Sequence, residues 1–162
     1  MKYLLDSNTL ITAKNDCYRF EFAASFWSWL AMANLEGLVF SIVNVKRELD
    51  GEGDNLTQWV NANDIFLSPD AATNRSMTEI GKWVQEHRQF TDAAKQEFFR
   101  GADLPLLAHA HAHGFKIVTF EKDEPEAKAR IKIPTVGNAF GVKTLNLYQM
   151  ISELRGILGA PL

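Results

Sequence analysis

The sequence contains a single cysteine, Cys17, so no internal disulfide can form, and the composition fits a reducing compartment. It also lacks a long apolar stretch. The longest uncharged run, Phe22 to Leu35, is too short to span a bilayer and carries Ser25, Ser28 and Asn34. No basic n-region followed by an apolar core opens the chain, which begins directly on a strand-like segment. There is no excess of positive charge either: the net charge is −3, so the global signature of a nucleic-acid binder is missing. Internal repeats, low-complexity tracts and interdomain linkers are also missing. These absences predict a cytoplasmic protein without membrane segments. They leave a nucleic-acid substrate open, because a bound cation and a local group of basic residues can offset a negative total.

What is present is a 46% apolar chain of 162 residues, enough for one domain with its own core over residues 1–162. Strand-like and helix-like segments alternate. Lys2-Tyr3-Leu4-Leu5 reads as a buried strand, and Asn8 to Ala13 as a short helix. Phe22, Phe26, Trp29, Leu30 and Ala33 follow at helical spacing, with Trp27 on the opposite flank. Leu38 to Ile42 reads as a second strand and Asn44 to Asp50 as a helix broken by Gly51-Glu52-Gly53. A helix capped by Asp54 or Asn55 comes next, then an edge strand near Asp64 to Leu67. Amphipathic helices are expected around Ile80 to His87 and from Thr91 to Phe99. Asp103 to His113 reads as an apolar helix closed by Gly114, and Phe115 to Phe120 as a third strong strand. A charged loop, Glu121 to Lys132, precedes an expected short strand at Ile133 to Val136 and a final helix through Leu147, Met150, Ile151, Leu154 and Leu158. Strands separated by helices imply parallel pairing with right-handed crossovers.

In such a sheet the loops after the strands gather along one edge, and four acids sit where that edge would collect them: Asp6, Glu48, Asp103 and Glu121. Each has an ordinary reading. Asp6 and Asp103 are in good positions to cap helices, Glu48 could be a solvated helix residue, and Glu121 begins the charged run Glu121-Lys122-Asp123-Glu124, where Asp123 competes for the same role. Glu48, however, has no base three or four positions away, its neighbours there being Asn44, Val45, Gly51 and Glu52. Taken together, an all-oxygen set without cysteine favours Mg²⁺ or Mn²⁺ over Zn²⁺. Such an ion lowers the pKa of a bound water and suits in-line attack on a phosphodiester. Lys14, Lys46, Arg47, Arg100 and Lys122 lie close to the acids in sequence and could hold phosphates at the rim. His109 and His113, one helical turn apart with His111 between them, have chelating spacing but lack the intervening glutamate of the helical metalloprotease motif.

Four segments carry a resemblance: Leu4-Leu5-Asp6-Ser7-Asn8-Thr9-Leu10-Ile11, Val45-Lys46-Arg47-Glu48-Leu49, Ala102-Asp103-Leu104-Pro105-Leu106-Leu107-Ala108 and Val118-Thr119-Phe120-Glu121-Lys122-Asp123. In order and spacing they resemble the four acidic motifs of PIN-domain proteins, many of whose small bacterial members are ribonuclease toxins of toxin–antitoxin pairs, the VapC group. The resemblance implies an α/β fold of three layers, α/β/α, around a central, mainly parallel sheet of four to five strands. It implies a Mg²⁺- or Mn²⁺-dependent ribonuclease in which Asp6, Glu48, Asp103 and Glu121 hold metal, Asp123 is a second acid of the last loop, and Ser7 or Asn8 orients Asp6 or a metal water. Lys46, Arg47, Arg100 and Lys122 would bind the RNA. The partners implied are an RNA substrate and a cognate antitoxin protein. From their positions alone, Trp27 and the pair Phe98-Phe99 fit either a dimer or antitoxin surface or packing in the core. Glutamate at position 121, where the family usually has aspartate, and the long stretch from Gly51 to Arg100 depart from the pattern. Two other readings compete. Asp6-Ser7-Asn8-Thr9 also resembles the opening of haloacid-dehalogenase phosphatases, but Asn8 stands where the second acid is needed. A PIN-like scaffold that binds RNA or protein without cutting would share the fold.

Overall fold

A computed structural model describes residues 1–50 and 53–161. Five short strands form one sheet: β1 (Tyr3–Leu5), β2 (Val39–Ile42), β3 (Phe66–Leu67), β4 (Lys116–Val118) and β5 (Thr144–Leu145). Their order is β3-β2-β1-β4-β5 and every pairing is parallel. Leu4, Leu5, Val39, Ile117 and Val118 are wholly buried, as central strands covered on both faces require. The helices are α1 (Ser7–Thr12), α2 (Ala24–Leu35), α3 (Val43–Leu49), α4 (Asn55–Ala62), α5 (Ala71–Glu86), α6 (Asp92–Arg100), α7 (Asp103–His113), α8 (Ile133–Phe140) and α9 (Leu147–Leu158). Together they complete a three-layer α/β/α fold. Successive strands run from β1 outward to β3, then the chain returns to place β4 on the other side of β1. That reversal puts a crevice at the carboxyl ends of β1 and β4, the usual ligand position in open α/β sheets.

Most expected elements are present with boundaries moved by a few residues. Asp54, Asp70, Thr91 and Asn146 each cap a helix through a side-chain oxygen, Asp54 and Asp70 accepting from Thr57 and Thr73 N–H at 2.9 and 2.8 Å. Other expectations are corrected or settled by the structure. The strand expected at Ile133 to Val136 is the start of α8. Pro134 suits a first helical turn, Ile133, Val136 and Gly137 face the core, and Gly141 ends the helix at φ +69°. β5 lies further on, at Thr144–Leu145. Trp27, open between a protein-facing surface and the core, is buried: its indole donates to the Tyr18 carbonyl at 2.7 Å and its ring stacks on Phe20. Phe22 instead lies outside α2 and is 70% exposed. Of the pair Phe98-Phe99, Phe98 is buried and only Phe99 reaches the surface. Of the break expected at Gly51-Glu52-Gly53, the first two residues lie outside the described ones, and Gly53 has φ +63°.

Gly137 is where α8 comes closest to the chain leading into β5. A Cβ there would sit 2.9 Å from the Val142 carbonyl oxygen, and Val142 N–H already donates to the Gly137 carbonyl at 2.8 Å. Gly137→Ala is therefore expected to destabilise the protein by about 1–3 kcal/mol through overpacking, read as a lowered midpoint in urea unfolding. An unchanged midpoint would show that this contact relaxes freely.

Candidate active site

The crevice is built around Asp6, the residue after β1. Leu5 pairs with Val118, so the next residues in each strand, Asp6 and Thr119, come side by side. Asp6 is 3% exposed. Its Oδ2 accepts from Thr119 Oγ1 at 2.7 Å and its Oδ1 from Asn8 N–H at 3.0 Å. Thr119 Oγ1 also accepts from Glu121 N–H at 3.1 Å, tying the loop after β4 to the same carboxylate. Sequence reasoning missed Thr119. The signal was a buried threonine ending an apolar strand that would pair with the strand carrying Asp6.

Glu48 projects from α3 and is held at both oxygens. Oε1 accepts from Ala102 N–H at 2.9 Å, and Oε2 accepts from the Ser7 hydroxyl. Ser7 therefore orients Glu48, not Asp6, while Asn8 serves Asp6 through its backbone. Because Ala102 precedes Asp103, the Glu48 contact also fixes the start of α7. Asp103 is the first residue of α7 and does not act as its cap. Among the described residues no donor reaches its carboxylate. Glu121 Oε2 accepts from Ile133 N–H at 2.8 Å. Asp123 accepts from Thr135 Oγ1 and Asn138 Nδ2 at 2.8 Å each, which fastens the loop to α8, and its charge is not among those acting on Asp6 or Asp103.

Charge shows which acids share the site. Burial pushes Asp6 up to about 6, against the pull of the Thr119 and Asn8 hydrogen bonds, and the charges of Glu121 and Glu48 push the same way as burial. Asp103 is pushed up to about 7, first by burial and then by the charges of Asp6, Glu121 and Glu48. The four acids expected from the sequence thus lie within electrostatic reach of one another. The expected rim behaves differently. Lys46 Nζ lies 5.7 Å from the Phe66 ring centroid, over the sheet edge. Lys14 pairs with Asp54 at 2.6 Å. Arg47, Arg100 and Lys122 are exposed. The strongest cationic influence on Asp103 comes from Arg130, which was not among the expected residues. Its position, 27 places downstream in an irregular loop, left no sequence signal.

The histidines of α7 lie on its other turns and join it to α5. His109 Nδ1 and His113 Nε2 each approach Thr73 Oγ1 at 3.3 Å, and His113 also meets Asp70 Oδ2 at 3.1 Å. His111 Nδ1 lies 2.7 Å from Ser76 Oγ. Burial, followed by the charge of His113, lowers the pKa of His109, with Asp70 opposing. These contacts account for all three histidines as packing between helices.

Among the described residues no three His, Cys, Asp or Glu side chains stand as a ready coordination shell. The reason is visible in the hydrogen bonds: Asp6, Glu48 and Glu121 turn oxygens onto protein donors. The donor set still fits a hard divalent cation. It is all oxygen, it concentrates negative charge in a partly buried crevice, and among the described residues no donor claims the Asp103 carboxylate. No described helix is long and apolar enough to cross a membrane. No curated protein matches the sequence. The family model for a domain of unknown function, DUF4411, matches residues 3–157, and the chain belongs to that family.

Proposed function

We propose that this protein is a metal-dependent endoribonuclease of PIN type, hydrolysing RNA phosphodiester bonds with Mg²⁺ or Mn²⁺, and that it serves as the toxin of a toxin–antitoxin pair. One observation carries the reading. Acids from four chain segments meet at the switch point of a parallel sheet, buried and then crowded enough to raise the pKa values of Asp6 and Asp103, and Asp103 has no protein donor among the described residues. A polar cluster of this kind is costly unless its charge is used. The sequence resemblance of the same four segments to PIN-domain motifs supplies the substrate class and the antitoxin partner.

Asp6, Glu48, Asp103 and Glu121 would hold the ion. Bound there, a divalent cation would activate water and neutralise the developing charge on a phosphodiester. The residues of the chain set the geometry for this. Thr119 and the Asn8 amide hold Asp6 in one orientation, Ser7 and the Ala102 amide hold Glu48, and the N-terminus of α7 favours the ionised form of Asp103. With water as the nucleophile, the products carry 5′-phosphate and 3′-hydroxyl ends. The test is cleavage of a 5′-labelled RNA with Mn²⁺ or Mg²⁺, followed by end-group analysis. Fragments ending in 2′,3′-cyclic phosphate, or cleavage that persists in excess chelator, would refute the mechanism. A non-cutting scaffold of the same fold would bind RNA without producing fragments.

A further inference from the structure

The segment after β4 behaves as a fixed strap, not as the loose charged loop its composition suggests. Gln89 Nε2 donates to the Pro125 and Ala127 carbonyls at 2.6 and 2.7 Å, and Thr91 N–H to the Lys128 carbonyl at 3.0 Å. At its ends, Glu121 accepts from Ile133 N–H and Asp123 is fastened to α8. Ile131 is 5% exposed and anchors the strap in the core beside Phe98. Arg130, the residue before this anchor, is thereby carried to the mouth of the acidic crevice. There it shares a cleft of about 30 Å³ with Asp103 and Glu97. The cleft has room for about one water and none for a base.

Among the described residues Arg130 makes no hydrogen bond and no ion pair, although it stands beside carboxylates. Neighbouring cations are already engaged: Lys132 pairs with Glu124 at 3.7 Å and Lys95 Nζ donates to the Gln85 carbonyl at 2.8 Å. A guanidinium stays charged at any working pH and offers a planar fork of donors that matches phosphate oxygens. The acids that would do the chemistry repel a polyanion, so an RNA strand needs a cation at this point to approach them.

We propose that Arg130 is a substrate-positioning residue of this site, its guanidinium engaging a non-bridging phosphate oxygen of single-stranded RNA at the mouth of the Asp103 cleft. This rests on reading the four acids as an RNA-cleaving centre. The anchors on either side of it mean that little backbone ordering accompanies binding, so the contact aligns the strand as well as attracting it.

The test uses the full chain, a mixed-sequence fluorescent RNA oligonucleotide and Mn²⁺, with steady-state cleavage followed for wild type, Arg130→Gln and Arg130→Lys. Binding is measured by anisotropy in an Asp6→Asn background across a salt series. Arg130→Gln is expected to raise KM about tenfold with a smaller change in kcat, and to flatten the logarithmic salt slope by about 0.7, the loss of one phosphate contact to a single strand. Arg130→Lys should recover the slope and only part of the KM, because it keeps the charge and loses the fork. Only a small fall in melting temperature is expected, since the side chain is exposed, makes no hydrogen bond among the described residues, and acts on Asp103 through its charge alone. Wild-type KM and salt slope in Arg130→Gln would overturn this inference and leave the nuclease reading standing. A wild-type protein that neither binds nor cuts the RNA would overturn both.

Discussion

Asp103→Asn is expected to abolish RNA cleavage and, in the same molecule, to make the metal-free protein more stable at pH 8. Loss of a metal-holding carboxylate should lower the rate by about a hundredfold or more, beyond the 10–100-fold typical of the residues that orient such ligands. The gain in stability follows from linkage. Asp103 is pushed up to about 7 in the folded protein, from an ordinary value of 3.8. Between those values the folded state binds more protons than the unfolded chain, so its stability falls as pH rises and levels off above about 7. Asparagine removes that loss and sacrifices no hydrogen bond, because no described donor reaches Asp103. With allowance for solvent screening, the gain is about 1–2 kcal/mol at pH 8, or roughly 2–4 °C per kcal/mol in melting temperature for a chain of this size. Below pH 4 the two proteins should unfold alike. Calorimetry in chelator at both pH values, beside an RNA-cleavage assay, reads the two effects together. Full activity in Asp103→Asn would sink the catalytic assignment, and a variant less stable at pH 8 would show that the carboxylate is structural. Asp6→Asn is the less clean substitution, since both Asp6 oxygens accept hydrogen bonds, from Thr119 Oγ1 and Asn8 N–H, and asparagine offers only one acceptor oxygen.

Much of this arrangement was legible in the sequence because the elements bearing the acids are local and strongly punctuated. Tyr3 to Leu5 is apolar and ends in Asp6; the helix of Asp103 to His113 is closed by Gly114, which has φ +69°. Alternation of such segments was enough to predict parallel pairing and to set Asp6 and Glu121 on one edge. What could not be read was whatever depends on register or on a distant partner. That Ser7 belongs to Glu48 and Thr119 to Asp6 follows from the Leu5–Val118 pairing and the packing of α3, neither of which leaves a trace in residue spacing. The strand expected at Ile133 failed because a short apolar run fits either period, and Pro134 was the available sign of a helical first turn. Trp27 could not be assigned to surface or core because helical phase placed it opposite the main apolar face, while the segment before α2 folds back over it through Tyr18 and Phe20. Arg130 was invisible for a related reason: its place is set by Gln89 and Thr91, residues in the link between α5 and α6.

Manganese should stabilise the protein strongly at pH 8 and scarcely at all at pH 5. An ion that binds only the folded state at a hundred times its dissociation constant contributes about 2.7 kcal/mol, a rise of several degrees in melting temperature. Binding requires ionised ligands, so protons compete with the metal. With Asp6 near 6 and Asp103 near 7, both are mostly protonated at pH 5, so the metal must displace protons and its affinity falls steeply. The same Mn²⁺ concentration then falls well below saturation. At pH 8 both acids are charged, the metal-free protein carries its largest electrostatic penalty, and the cation relieves it. The pH profile of the melting temperature should therefore change shape: without metal it declines from about pH 4 to 7, and with Mn²⁺ the decline stops where the ion begins to saturate the site and the profile levels off. Thermal unfolding over a pH and Mn²⁺ grid measures this directly, with Asp103→Asn as the control in which the Mn²⁺ response at pH 8 is expected to collapse. An Mn²⁺ shift of equal size at pH 5 and pH 8, or one retained in Asp103→Asn, would place the ion elsewhere on the molecule and remove the metal from the crevice. A shift confined to high pH and lost with Asp103 would tie ion binding to the same carboxylates whose crowding destabilises the metal-free fold.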